Sequence, residues 1–465
     1  MSALSNLLPL LPLAGVVAVV CLGLRSRPNA SLLLALAAVA GSTLGLGASD
    51  PIGSVCGLVV LLSSFMSLAV SFDDLERHRL DGCWFSCLTL CATGGALGLV
   101  LANDLAVMVA SFEVLVLSVG ALCALRKDAR ESQEAALKYF SYGGFASAFV
   151  LFGSGLVLGE VGHGEVSLSF ETVAQAFGTG RVSALGWTGV AFVLSGMGFM
   201  SALVPFHMWV PDVSEGAPPP AAAFIATVVK AAAFGGWLRL LTVTLSGGAP
   251  DALPGALETL AALTLVVGSL LVLRQRSVKR MLAYLSVTHS GFVMMAVANW
   301  VQSPQPTPVA SVCFYLLGYS AMMIGAFAVA GFLESNDERP EESAAELLAG
   351  LGARRPALGL ALTVFFLGLA GVPPSAGFVG RLGFFSSALP TLSFGLVAAA
   401  VFASLLCGYV CFRWVALMFM APGRKRESRS LGWRLRPGLV LCVLVTLGAG
   451  IAAEPILHWM GRGAF

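Results

Sequence analysis

From Leu7 to Leu457 the chain alternates between apolar stretches and short polar connections. A transmembrane helix needs about 20 mostly apolar residues, and one span per stretch predicts fourteen. They lie near 3–23, 30–48, 51–71, 83–102, 104–125, 133–158, 183–204, 219–244, 256–273, 279–300, 308–332, 356–388, 391–420 and 438–459. Spans 12 and 13 are long enough to be broken, tilted or partly outside the bilayer. The expected fold is an all-α polytopic membrane protein.

Two spans are interrupted alike. Span 7 runs into Pro205 and Pro211 in LVPFHMWVPD, and span 12 into Pro373 and Pro374 in LAGVPPSAGFVGR. Proline removes a backbone donor and clashes with the preceding turn. The carbonyls so freed are tolerated inside a bilayer only where protein or water covers them. Matching Gly/Pro interruptions in two halves of a chain point to internal repeats with an ion path between them. The breaks lie five spans apart, which predicts two five-helix repeats, spans 4–8 and 9–13. Because five is odd, the two are inverted across the membrane, each with a discontinuous helix. The implied division is 1–82 for the three N-terminal spans, 83–245 and 256–421 for the repeats, and 422–465 for a basic loop and last helix.

The charges supply an independent count. Connections taken alternately hold twenty Lys and Arg residues in the odd set, such as Arg126, Lys127 and Arg130, against Arg181 in the even set. Cytoplasmic loops collect Lys and Arg, so both termini are expected on the opposite, periplasmic side, which requires an even number of spans. Residues 1–23 have no basic residue before the apolar run and Arg25 and Arg27 after it, the reverse of a signal peptide. They are expected to be a retained helix.

The composition, 57% hydrophobic and 11% charged with a net charge of +2, gives no basic surface for nucleic acid. Cys83, Cys87 and Cys91 share a helix face, as do Cys407 and Cys411, but no histidine or second CxxC completes a metal-ligand set. Buried cysteine is an ordinary small apolar residue. There is no GxGxxG after a strand and no Walker loop, so neither a metal nor a cofactor is expected in this chain.

Few ionisable residues lie inside the spans. Glu113 stands mid-span in LAVMVASFEVLVLSVGAL and Lys230 mid-span in AAAFIATVVKAAAFGGW. Either would cost several kcal/mol in hydrocarbon, so each is expected to face protein or a water-filled cavity. Burial makes the charged form of a lysine expensive enough for it to gain and lose a proton, which makes Lys230 the first proton-relay candidate. His289, about ten residues into span 10, can pass protons between its two nitrogens, or can be a satisfied core histidine. Arg381 cannot deprotonate and acts as a fixed charge. Lys138, with Glu134 beside it, begins span 6, where snorkelling competes with function. His207 stands at the span 7 break, where it could cap freed carbonyls or meet a water chain. His78, His163 and His458 lie in connections or at a span end and carry no assignment.

VPFHMWVPDVSEGAPPPAAAFIATVVKAAAF, QRSVKRMLAYLSVTHSGF, EAALKYF, ANDLAVMVASFEVL and AGVPPSAGFVGR resemble subunit N of respiratory complex I, the proton-translocating NADH:quinone oxidoreductase. It is one of that enzyme's antiporter-like membrane subunits. The resemblance covers roughly residues 100 to 390, and PDVxEGAP ahead of the lysine helix favours subunit N over its larger relatives. It implies fourteen helices with inverted five-helix repeats, and a chain that carries protons. Membrane-arm and hydrophilic-arm partner subunits would hold the NADH site, FMN, iron–sulfur clusters and quinone. A bacterial inner-membrane location follows.

In that family a helix 5 glutamate pairs with a helix 7 lysine, a helix 8 lysine is the central relay, and a helix 12 lysine lies towards the exit. Glu113 and Lys230 match the first and third of these. The helix 7 lysine falls on Met200 and the helix 12 lysine on Arg381. Without its cation Glu113 is expected to be held neutral, unless Lys138 replaces the lost partner, and the relay is expected to rest on Lys230, His289 and ordered water. Two competing readings share the architecture: a subunit of a cation/proton antiporter or membrane-bound hydrogenase, and a structural membrane-arm subunit whose pumping is impaired at Met200. The buried inventory favours protons over sodium ions.

Overall fold

The computed structural model describes residues 15, 16, 18, 28–43, 46, 51–78, 80–161, 168–179, 182–246, 248, 250–303, 306–334, 344–422, 432 and 434–462. Most of the first predicted span, His163, Arg181 and much of the acidic loop from Glu334 to Glu346 fall outside them, as does most of the basic 422–434 connection. Among the described residues nine helices are long and apolar enough to cross a membrane, and one bent pair makes a possible tenth. Shorter apolar helices complete the spans that the sequence predicts as interrupted.

The described helices are α1 Pro28–Ser42, α2 Pro51–Arg77, α3 Gly82–Leu101, α4 Leu105–Cys123, α5 Arg130–Val161, α6 Phe170–Gly178, α7 Ala184–Met200, α8 Val210–Gly216 and α9 Pro219–Thr244. They continue with α10 Ala252–Val272, α11 Val278–Gln302, α12 Pro306–Glu334, α13 Ala344–Leu348, α14 Leu351–Arg354, α15 Pro356–Ala370, α16 Ala376–Ala388, α17 Phe394–Met420, α18 Leu435–Ile451 and α19 Ala453–Arg462. Their starts are written in the sequence as side-chain caps. Asp81 accepts from the first amides of α3, Asp104 from those of α4, Ser183 from α7, Ser277 from α11 and Ser375 from α16. Such caps satisfy backbone donors that a helix end leaves free.

Both predicted breaks are present, and their backbones match. After α7 the chain enters the left-handed region at Ala202 (φ 57), whose N–H donates to Phe199 O while Leu203 N–H donates to Gly198 O. After α15, Gly371 (φ 81) donates to Gly368 O and Val372 to Leu367 O. This is the Schellman stop. A left-handed residue with a side chain costs roughly 1–2 kcal/mol, which Gly371 avoids and Ala202 does not. The Val204–Pro205 and Pro373–Pro374 peptide bonds are both cis. Two helix pairs also close on glycine in the same way. A Cβ on Gly95 of α3 would stand 2.8 Å from Leu115 N of α4, and one on Gly268 of α10 would stand 2.9 Å from Thr288 N of α11. In a bilayer, contacts of this kind hold helices together where no hydrophobic force does.

The last span departs from expectation. The sequence predicts one helix over 438–459, but α18 ends at Ile451 and α19 leaves it at 82°. Pro455, three residues into α19, has no N–H with which to continue α18. Gly450 meanwhile packs so closely on the second break that a Cβ there would lie 1.9 Å from Pro374 O. Span 13, in contrast, is one unbroken helix, α17.

Burial ranks the helices. The membrane-length windows of α9, α11 and α12 are 100%, 94% and 94% buried, against 33% for α17 and 39% for α5 and α10. The three form a central core, and a polar group placed on any of them must be satisfied by the protein itself.

Candidate functional site

The three core helices carry two hydrogen-bonded groups of polar side chains that pack ring on ring. Lys230, 3% exposed, follows directly on a π-helical turn at Ile225–Val229 in α9. A π turn displaces the regular hydrogen-bond ladder and is frequent at functional sites. The Lys230 ammonium donates to both the carbonyl and the hydroxyl oxygen of Ser286 on α11. The Tyr319 hydroxyl on α12 lies 2.9 Å from Ser286 Oγ and 3.0 Å from Ala226 O, a carbonyl of that same π turn. Lys230 Nζ stands 5.7 Å from the Tyr319 ring centre.

His289 stacks beside this group. Its ring centre is 5.2 Å from that of Tyr319, and its Nδ1 is hydrogen-bonded to the Tyr315 hydroxyl one turn earlier on α12. His289 Nε2 is buried without a protein partner, and Lys230, His289, Ser290, Tyr315 and Tyr319 line one small cavity. Lys230, Ser286, Tyr319, His289 and Tyr315 thus form a run of groups that can each hold or pass a proton. Tyr319→Phe removes the hydroxyl that joins Ser286 of α11 to the π turn of α9 and keeps the ring against His289. It is expected to slow proton-coupled turnover several-fold, about 1 kcal/mol for one interior hydrogen bond, with assembly unchanged. Wild-type turnover in that variant would remove Tyr319 from the path.

Arg381 closes the same region from the second break. It is 4% exposed, donates to Leu369 O and Ala370 O at the end of α15, and lies 4.6 Å from the Phe292 ring centre. Those are carbonyls the break would otherwise strand in hydrocarbon. The guanidinium thus serves as a helix cap.

The first break is closed differently. Trp209 Nε1 donates to Phe199 O at 3.3 Å, and Thr264 Oγ1 of α10 accepts from Val204 N at 3.1 Å. Tyr139, Phe199 and Trp209 pack ring on ring, with centres 4.8 to 5.6 Å apart. His207 is half-buried beside these groups, against the backbone of Pro205, with Nδ1 unpartnered. Met200 is fully buried.

Glu113 and Lys138 do not meet. Glu113 is half-buried on α4, with Oε1 lacking a hydrogen-bond partner. Lys138 instead pairs with Glu134 at 2.7 Å and with Asp212 of α8 at 2.5 Å. Asp212 also takes Arg280 of α11 at 2.6 Å, and Arg280 reaches Glu215 at 3.3 Å. Replacement of the lost lysine by Lys138 is therefore overturned: its charge is already committed to two carboxylates. Glu113→Gln keeps the shape and removes only the capacity to ionise. Proton pumping is expected to stay within about twofold of wild type, since no ion pair is broken. A tenfold loss would show that an ionised Glu113 carries protons.

Several contributors escape a reading based on charge. Tyr315 and Tyr319 are four apart in CFYLLGYSAMM, and Ser286, His289 and Ser290 share a face of α11. A stripe of hydroxyls at helical spacing within an apolar span is the signal that finds them. Asp212 lies in PDV, directly after the broken helix. Arg239, 7% exposed on α9, donates to Ala102 O and Asn103 Oδ1 beyond the end of α3.

Residues 102–407 match the family described as NADH:quinone oxidoreductase/Mrp antiporter, transmembrane. The chain belongs to this family. NADH:quinone oxidoreductase/Mrp antiporter relatives include NADH-quinone oxidoreductase subunit N of Myxococcus xanthus, 33% identical over 90% of this chain and 86% of the relative. Subunit N 1 of Sorangium cellulosum is 37% identical over 84% and 78%. Among solved structures, a chain of respiratory complex I from Thermus thermophilus with bound Aureothin aligns over 97% of this chain and 98% of its own length, with 29% identity and a TM-score of 0.79. The Mrp complex from Dietzia aligns over 99% and 97% with a TM-score of 0.86 at 20% identity, a likeness of fold. The resemblance to subunit N read from the motifs is borne out, as is the antiporter-like membrane fold.

Proposed function

We propose that this chain is a membrane-arm subunit of a complex-I-type NADH:quinone oxidoreductase and takes part in redox-coupled proton translocation. The observation that carries the reading is the Lys230–Ser286–Tyr319–His289–Tyr315 run on the three most buried helices. A buried lysine held only by neutral oxygens can exchange its proton when a neighbouring charge changes, which an arginine cannot do. NADH oxidation, FMN, iron–sulfur clusters and quinone reduction belong to partner subunits in this reading. The chain then sits in the bacterial inner membrane with both termini on the periplasmic side, as the Lys/Arg bias expects.

The units 83–245 and 256–421 are proposed as the inverted repeats. In support, each contains a glycine-closed helix pair, then a long helix, then a helix broken by a Schellman stop and a proline. The ion pairs of Asp212 with Lys138 and Arg280 tie the short α8 to both units.

Two other readings keep a specific observation each. Likeness of fold to the Mrp complex fits a cation/proton antiporter. The buried apolar Met200, standing where the family pattern has lysine, fits a structural subunit that has stopped pumping. Purification through a tag on this chain separates the first two: subunits that oxidise NADH are expected to co-purify with it. Recovery with antiporter subunits and no NADH-oxidising activity would replace the proposal with the antiporter reading.

A further inference from the structure

The broken helix α7 carries no ionisable side chain, but another flank of α9 packs against α2 and α12, which lie side by side. Cys56 Sγ meets Cys313 Sγ at 3.6 Å, and a Cβ on Gly331 would stand 3.6 Å from Asp74 Oδ1. The first pair is 257 residues apart and so is the second, from 74 to 331. The two helices therefore run parallel in one register, which puts Ser63 level with Ser320. Antiparallel to both, α9 starts at Pro219 against Gly331, and a Cβ on its Gly235 would stand 3.3 Å from Cys56 Cβ. Ser63 and Ser320 thus lie between those two ends, near the depth of Lys230. Ser63, Ser67 and Ser320 are fully buried, and none of their hydroxyls has a partner in the protein. Ser71, in contrast, donates to Ser67 O of its own helix at 2.6 Å. By helical spacing Ser63, Ser67 and Asp74 share the face of α2 that carries Cys56. At the end that the Lys/Arg bias assigns to the cytoplasm, Asp74 Oδ2 is also buried and unpartnered. Its Oδ1 takes His78 at 3.2 Å, and the adjoining Asp73 takes Arg77 at 2.9 Å. Asp74, Pro219, Ala223 and Phe332 help to line a cavity of about 20 Å³ there, and about 10–15 Å³ is enough for one water.

We propose that protons enter from the cytoplasm through this α2–α12 seam, with Asp74 collecting them and water on Ser67, Ser63 and Ser320 handing them on to Lys230. The proposal rests on the proton-translocating reading above. Asp74 accepts a proton from cytoplasmic water at Oδ2 and releases it into the seam. Once Lys230 has given up its own proton, the last water delivers the replacement to Nζ, so nothing is oxidised and each proton taken up leaves by way of Lys230. Asp74 to Ser67 is about 10 Å along the helix, the reach of roughly three hydrogen-bonded waters. A buried hydroxyl left without a partner destabilises a fold, and three of them on one seam are accounted for by water that uses them. The seam ends beside the polar run, since Ser320 adjoins Tyr319 and Lys230 Nζ stands 5.7 Å from the Tyr319 ring centre. Beyond it the face closes on Cys56 and Cys313, weak hydrogen-bonding groups that meet each other.

The test measures NADH-driven proton uptake and quinone reduction by the assembled complex in proteoliposomes, at amounts of complex matched on native gels. Asp74→Asn keeps the size of the side chain and removes the proton acceptor. It is expected to lower uptake at least about fivefold, the rate equivalent of one interior hydrogen bond. The solvent deuterium isotope effect on turnover is expected to rise with it, as proton entry becomes limiting. Ser63→Ala with Ser320→Ala is expected to do the same at an undiminished yield of complex, because removing unpartnered hydroxyls costs the fold nothing. Wild-type uptake in either variant overturns the proposal. So does slower uptake with an unchanged isotope effect, the mark of a structural role. Lys230→Ala keeps the two claims apart: if it slows the complex and the seam variants do not, this entry alone falls. If Lys230→Ala has no effect, the reading beneath the proposal falls with it.

Discussion

Replacing Arg381 by methionine is expected to remove most of the assembled complex from the membrane. The side chain donates to Leu369 O and Ala370 O at the end of α15, and each hydrogen bond from a charged donor contributes about 1.5–3 kcal/mol. Methionine fills similar space and offers no donor, so two carbonyls lie stranded where lipid cannot satisfy them. Removing a buried charge recovers part of its desolvation cost, about 2.5–3.5 kcal/mol on insertion scales. The two stranded carbonyls are expected to outweigh that gain. Arg381→Lys keeps a charge and a donor and is expected to retain intermediate assembly. Native gels of solubilised membranes read both results, and a wild-type quantity of complex with Arg381→Met would show that the second break needs no cap.

Lys230→Ala is expected to lower quinone reduction by the assembled complex at least about tenfold, roughly 1.4 kcal/mol on the rate-limiting barrier, or to leave turnover running without pumping. The change removes the ammonium from the head of the polar run and leaves Ser286 with Tyr319 and Ser290. Lys230→Arg distinguishes a relay from a mere hydrogen-bond donor. Arginine keeps the charge and the donors to Ser286 but cannot release a proton. A relay fails with arginine about as badly as with alanine, whereas a structural donor is largely rescued. Rescue by arginine would therefore remove Lys230 from the path while leaving its structural role.

How much of this was readable from the residues depends on how each feature departs from an apolar helix. Pro205 and Pro373 break spans 7 and 12 for a local reason, the missing N–H, and both breaks stand where the sequence puts them. Lys230 is conspicuous as a lone charge in an apolar span. Ser286, Tyr315 and Tyr319 are not, since hydroxyls scarcely alter hydropathy and their value here comes from three helices meeting. Asp212 was similarly hidden: its pairing with Lys138 and Arg280 spans 74 and 68 residues, which no local pattern encodes. His207 draws notice as the titratable group at the gap, whereas the donor from Trp209 and the acceptor from Thr264 depend on directions that no local pattern encodes. The bend at Ala452 could have been suspected from Glu454 and Pro455, yet the apolar residues on either side dominate the span.

The central claim is that protons move through this chain by way of Lys230 although Met200 occupies the helix 7 position. The proton-to-electron ratio tests it most directly, measured side by side in proteoliposomes holding the wild-type complex and the Lys230→Ala complex at matched amounts of enzyme. A lower ratio in the variant, or turnover too slow to measure one, is the predicted result. An unchanged ratio at unchanged turnover would contradict the account and leave a membrane-arm subunit that holds the assembly together without pumping.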